Sequence, residues 1–249
     1  MVVPLPELPG LRPLTARSVV LSTLLGAHPP RLPARSLVRA GELFEIAEGT
    51  VRVALSRMVA AGDLRHVDGD YELSDRLVRR QTRQDQSRSP AVRPWSGDWE
   101  IAVVTADRRT PTDRAAFRQT MAALRLAEAR EGTWLRPANL DRPLELPCLV
   151  LLGRPTTDPA ELAASLWNLP AWADGARRLH AALDRAEDLA AGFMVSAAVL
   201  RHLVADPLLP EPLLPPDWPG GRLRARYEQF DRTFQTVLRD RLGVAVPRV

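Results

Sequence analysis

The chain contains no lysine, so all 34 of its Lys and Arg positions are arginine. That usage follows GC-rich coding as readily as function, and the informative aspect is where the arginines fall. Cysteine is almost as scarce: the lone Cys148 excludes an internal disulfide and argues against a thiolate metal site. Set in the apolar "LPCLVLLG", it is expected to pack within a strand. No apolar run approaches the roughly 18 to 20 residues needed to cross a bilayer, and no signal-peptide core follows "MVVPLPELPG". The expected compartment is the cytoplasm, with no membrane partner. Phosphate-cradling loops of the GxGxxG or P-loop kind are missing, which leaves nucleotide turnover without support. His28, His66, His180 and His202 lie far apart and lack the spacing of a metal or catalytic motif. No cofactor is expected.

What is present describes a globular protein of one to three domains, 249 residues long, 45% hydrophobic and 26% charged. Its charge is unevenly placed. Residues 1–93 hold 14 arginines against 10 acidic residues, net +4, while residues 94–249 hold 20 of each. The excess therefore lies in the first third, where attraction to phosphate would need it.

Three apolar-periodic segments open the chain. "TARSVVLSTLLGAH" starts with Thr15 as an N-cap and places Val20, Leu21, Leu24 and Leu25 on one side. "PARSLVRAGELF" follows, with Pro33 suited to a first helical turn. The third, "AEGTVRVALSRMVAAGD", turns Val51, Ala54, Leu55, Met58 and Val59 inward and leaves Gly49, Val53, Ser56 and Ala60 outward between Arg52 and Arg57. A helix made only for solvent would carry Glu, Lys and Gln there; this one leaves clearance for something large. After Gly62, "LRHVDGDYEL" reads as two alternating runs about Asp68-Gly69, a type I′ hairpin signal. Three helices and a tight hairpin predict a winged helix-turn-helix.

Downstream, Arg76, Arg79, Arg80 and Arg83 stand at helical spacing in a basic segment that grades into a linker. "DWEIAVVTA" reads as a buried strand, "PTDRAAFRQTMAALRLAEAR" as a helix with Phe117, Met121 and Leu124 inward, "TWLRP" and "PCLVLLGRP" as strands, and "DPAELAASLWNL" as a helix capped by Asp158. Strand, helix, strand, strand, helix is most of a ferredoxin-like unit, with a final strand unplaced. Further helices are expected over "PAWADGARRLHAALDRAEDLAAG" and "FMVSAAVLRHLVAD", with a break at Gly192, and over "RARYEQFDRTFQTVLRDRL". The proline-rich "DPLLPEPLLPPDWPGG" between them is expected to be extended and packed on the body.

In a winged helix-turn-helix the third helix enters the major groove, about 12 Å wide. Thr50 and Ser56 could then reach bases or phosphates, Val53 suits a thymine methyl, and Arg52 and Arg57 could grip groove walls or guanine. Arg65 and His66, near the hairpin tip, could track phosphate or enter the minor groove. Two rivals stay open: a metal-dependent nuclease on the central domain with Asp107 as ligand, and an interaction module that does not bind DNA.

"FEIAEGTVRVALSRMVAAGDLRHVDGDYELS", "WSGDWEIAVV", "LWNLPAW" and "ADPLLPEPLLPPDWPG", in that order, resemble the PaaX family of bacterial transcriptional repressors of phenylacetate catabolism. The resemblance implies an α+β multidomain chain: an N-terminal winged helix-turn-helix, a central ferredoxin-like domain and a C-terminal helical domain. It further implies a homodimer on double-stranded operator DNA, without enzymatic activity, released by an aryl-CoA thioester such as phenylacetyl-CoA. The expected boundaries are 1–75 for the DNA-binding domain, 76–94 for the basic helix and linker, 95–170 for the central domain and 171–249 for the helical domain. No effector site is assigned, although Trp99, Trp134, Trp167 and Trp172 are aromatic candidates. The family commonly has Ser where Ala47 stands, so this third helix is expected to start without a side-chain cap.

Overall fold

The computed structural model describes residues 11–104 and 110–242, which divide into two compact units. Unit 1 takes the chain up to Arg88 together with Gly175–Val204 and the segment from Gly220; unit 2 takes Ser89–Asp174 and Ala205–Pro219.

Unit 1 opens with α1 (Ala16–Leu25), where Thr15 and Ser18 cap each other reciprocally. Strand β1 (Arg31–Pro33) follows, and it escaped the sequence reading because three residues carry no periodicity. Pro33 accordingly ends the strand and precedes α2 (Ala34–Glu42) rather than lying in its first turn. Helix α3 (Glu48–Ala60) starts at Ala47 with no side-chain cap. Gly62, at φ +68°, stops it: the Asp63 and Gly62 amides donate back to the Met58 and Val59 carbonyls. Strands β2 (Leu64–Val67) and β3 (Asp70–Leu73) form the hairpin, with Asp68 and Gly69 both at positive φ as a type I′ turn requires. The sheet order is β1-β3-β2, antiparallel throughout. Basic helix α4 (Asp75–Arg88) leaves β3 directly. Val20, Leu24, Leu37, Val51, Leu55, Met58, Leu64, Leu73 and Leu77 close one core among these elements.

Unit 2 is built on a four-stranded antiparallel sheet. Its first strand is β4 (Trp99–Val103), and α5 (Pro111–Ala123) follows with Thr110 and Asp113 as a capping box. The expected helix stops short of "LAEAR": Arg125 adopts φ +62°, and β5 (Ala127–Arg130) pairs with β6 (Thr133–Pro137). Strand β7 (Leu149–Gly153) then pairs with β4, giving the order β5-β6-β4-β7. The fourth strand of this sheet is β5, which the sequence pattern assigns to the tail of a helix because "LRLAEAR" satisfies a helical wheel as well as a short edge strand; no strand follows α6 among the described residues, so the expected final strand is not found there. Cys148 lies one residue before β7, half-buried beside the core of Met121, Leu126 and Trp134. Helix α6 (Pro159–Leu166) follows β7, with Asp158 accepting from the Ala160 and Glu161 amides. The proline-rich segment turns briefly into a 3-10 helix over Glu211–Leu213, and Leu209 and Leu213 pack with Trp99 and Ala163.

Helix α7 (Leu169–Asp184) spans the division between the units, and α8 (Leu189–Val204) and α9 (Gly220–Leu242) complete unit 1. Gly192 does not break a helix. It lies inside α8, where a Cβ would collide with the Phe230 ring of α9. Phe193 and Phe234 join Phe44, Val19 and Ala40 in a second core, at ring separations of 4.9 Å (Phe44–Phe193) and 5.5 Å (Phe193–Phe234). No helix is long and apolar enough to cross a membrane among the described residues.

Candidate nucleic-acid interface

Helix α3 packs on α1 and α2 through Val51, Leu55 and Met58, which are essentially inaccessible. Gly49, Thr50, Arg52, Val53, Ser56, Arg57 and Ala60 are exposed, as the wheel predicts. Val59 departs from it. Expected inward, it is exposed, because Val51, Leu55 and Met58 already fill the stripe facing α1 and α2 and Val59 falls beyond its edge. The outer face therefore carries two valines, Val53 being 50% accessible. Apolar side chains at such exposure lose free energy in water and gain it against a methyl-bearing partner.

The two arginines of this face differ in state. Arg52 is tied back one turn to Glu48, with Nη2 2.6 Å and Nε 2.7 Å from Oε1, while Ser56 donates to the Arg52 carbonyl. Arg57 has no acidic partner among the described residues. An exposed pair such as Glu48–Arg52 is worth about 0.3–0.5 kcal/mol, so a phosphate can readily displace the carboxylate. At the N-terminus of α3 the Thr50 and Val51 amides already reach the Ala47 carbonyl, while Glu48 and Gly49 precede the first such bond.

The hairpin adds Arg65 and His66, both exposed on β2. Arg65 is bound to Glu72 across the ladder at 2.9 Å and to Asp75 at 3.1 Å, and His66 stacks on Tyr71 with centroids 4.7 Å apart. Both are therefore braced along the strand. Arg31 secures the tip: its Nε donates to Asp70 at 2.9 Å and its Nη2 to the Val67 carbonyl at 3.1 Å, with Asp68 at 3.5 Å. Beneath the end of α3, Asp63 is almost fully buried, accepts Arg17 of α1 at 2.6 Å and Arg76 of α4, and its carbonyl receives the Ser74 amide. Asp63 locks α1, α3, the hairpin and α4 into one arrangement. Arg31 and Asp63 escape sequence reasoning because their partners lie far along the chain and a single charge has no period.

No group of His, Cys, Asp and Glu among the described residues could hold a metal ion. Asp107, the ligand of the nuclease alternative, lies outside the described residues.

A small-faced helix carrying cations, seated on two others and flanked by a braced hairpin, describes a protein of the DNA-binding regulator class. The chain belongs to the PaaX-like protein family, whose profile matches residues 15–77, with the PaaX-like protein C-terminal domain matching residues 167–241. That family is one of transcriptional regulators associated with phenylacetate catabolism, and its members are regulators rather than enzymes. Among solved structures the chain is similar to "Uncharacterized protein Rv0674 from Mycobacterium tuberculosis", at 46% identity and a TM-score of 0.77, over 93% of this chain and all of that one. No curated protein matches the chain.

Proposed function

We propose that the protein is a sequence-specific repressor that binds operator DNA as a homodimer and is released by an acyl-CoA, phenylacetyl-CoA being the reference compound. The observation that carries this is the outer face of α3: Thr50, Val53, Ser56 and Arg57 exposed with Arg52, on a helix whose opposite stripe is fully committed to the core. In this reading residues 1–75 are a winged helix-turn-helix with α3 in the major groove, and Arg65 and His66 contact the flanking backbone or minor groove. Residues 76–94 are the basic helix and linker and 95–170 a ferredoxin-like domain; the helices of 171–249, expected to form a domain of their own, instead serve unit 1 through α8 and α9, while 205–219 belongs to unit 2. The homodimer reading draws support from β7, an edge strand exposing Leu149, Leu151 and Leu152, since such an edge invites pairing with another copy.

Gel retardation on the region upstream of the protein's own gene tests this. Wild type should show retardation that falls steeply with salt, the slope shrinking by about one for each phosphate-contacting arginine removed. Replacing both Arg52 and Arg57 by Ala should leave the circular dichroism spectrum unchanged and weaken binding at least tenfold. Undiminished affinity in that double variant would refute the assignment. Magnesium-dependent cleavage lost in Asp107→Ala would favour the nuclease instead.

A further inference from the structure

Helix α4 carries a stripe of side chains that neither a core nor, beyond Arg76, an ion pair of unit 1 occupies. Leu77, Gln81 and Gln84 face inward, and the opposite surface exposes Arg76, Arg79, Thr82, Arg83 and Gln86. At 1.5 Å per residue the three arginines span about 10 Å of helix, and no acidic residue stands between them. Exposed arginines on other helices are answered within the fold: Arg52 by Glu48, Arg118 by Glu128 and Arg232 by Glu228. Arg79 and Arg83 have no acidic partner among the described residues. We propose that this face of α4, joined by Arg17 of α1, holds the phosphate backbone of the operator duplex beyond the bases that α3 reads.

Arg17 and Arg76 fix where the stripe begins. Both bind the buried Asp63, which follows the turn that ends α3, yet each keeps more than half of its side chain in water. One carboxylate cannot neutralise two guanidinium groups, so the pair stays cationic at the C-terminal end of α3. Half-buried Arg80, on the same helix, registers the surplus: burial and then Arg12, Arg83, Arg76 and Arg17 hold its guanidinium below its ordinary value. Mutual repulsion of this kind disfavours the free surface and is relieved by a polyanion.

The layout of these cations selects a duplex. Arg76, Arg79 and Arg83 are strung along a rigid helix instead of converging on one point, and each strand of duplex DNA offers a phosphate every 3.4 Å or so of its axis, about three over the length of the stripe. Gln86, exposed one turn beyond Arg83, adds a neutral donor of a type that also contacts phosphate oxygens. Because the stripe starts where α3 ends, a duplex laid against Thr50, Val53, Ser56 and Arg57 continues over it. Contacts of this kind hold the duplex in place without reading it, so their loss weakens every sequence alike. The inference rests on the DNA-binding reading above and adds to it a second, sequence-blind surface.

Fluorescence anisotropy of the full chain on two duplexes of equal length, the region upstream of its own gene and a scrambled sequence, tests the surface. The double variant Arg79→Gln with Arg83→Gln should melt at or above wild type, since it removes repulsion and breaks no ion pair. It should lose at least tenfold in affinity on both duplexes, by the same factor, and its slope of log affinity against log salt should shrink by about two. Arg222→Gln with Arg232→Gln on α9 removes the same net charge and should cost less than twofold. A double variant that binds like wild type would overturn the proposal in favour of an acidic protein surface, and a loss no greater than that of the α9 control would reduce the stripe to net charge alone. A loss confined to the upstream duplex would equally refute it, by making the two arginines readers of bases. If wild type does not prefer the upstream duplex but the α4 variant still loses affinity on both, sequence-specific recognition fails and the stripe stands; wild type that binds neither duplex would sink both.

Discussion

In unit 2 the Arg136 guanidinium is wholly inaccessible, its Nη2 donating to Asn139 at 2.8 Å and its Nε to the Pro137 carbonyl at 2.9 Å, with Glu100 at 3.7 Å; in unit 1 Arg57 stands in solvent and Arg80 faces other arginines. Burial pushes Arg136 down to about 9 while Glu100 pulls the other way, and Glu100 also accepts Arg142 at 3.0 Å. Asn139 passes the network on by donating to the Leu208 carbonyl of the proline-rich segment. One residue type thus serves as a buried strut at Arg136, as an ion-paired brace at Arg17, Arg31 and Arg76, and as an exposed cation without an acidic partner at Arg57. The aromatic residues divide as sharply: all six tryptophans lie in unit 2, while the second core of unit 1 is built on phenylalanine. A composition with every cation an arginine says nothing about this division, because the free energy of a guanidinium depends on whether its partner arrives from the fold or from a ligand.

The largest effect that could break the comparison is expected at Glu100. Its replacement by Ala leaves Arg136 buried without a counter-charge, which costs about 3–5 kcal/mol. Tryptophan fluorescence, which reports unit 2 alone, should show a much lower melting midpoint; an unchanged one would show that Arg136 is satisfied without its carboxylate. Gly192→Val should cost about 1–3 kcal/mol by forcing α8 away from Phe230. Here loss of helical signal in far-ultraviolet circular dichroism should precede the tryptophan transition, and coincidence with wild type would mean that Phe230 simply rotates aside. The smallest change sharpens unit 1: Ala47→Ser supplies the missing cap of α3 and should stabilise it by about 1 kcal/mol. Slower hydrogen exchange at the Gly49 and Thr50 amides would report it, whereas strong protection there already in the DNA-free wild type would show that no cap is needed.

Much of the local structure was legible. Thr15 and Asp158 cap the helices they precede, Asp68-Gly69 turns the hairpin, and the α3 wheel separates Val51, Leu55 and Met58 from Thr50, Arg52, Val53, Ser56 and Arg57. Each of these signals acts within a few residues, as a hydrogen bond to the next turn or a φ that only certain residues tolerate. Strands β1 and β5 were not legible, being too short to show a period and existing only because β3 and β6 offer them a ladder. Val59 was misplaced because the wheel knows the angle of a side chain but not the width of the surface it meets.

By itself the sequence determined the caps, the turn, the charge excess of residues 1–93 and the resemblance to a family, all of which depend on residue identity at neighbouring positions. Only the tertiary structure decided that α8 and α9 close the core begun by α1 and α2, that Asp63 gathers Arg17 and Arg76, and that Arg12, Arg80 and Arg201 line one cavity. Those arrangements join residues far apart along the chain, and burial and charge pairing act through distance in space, which no local pattern encodes.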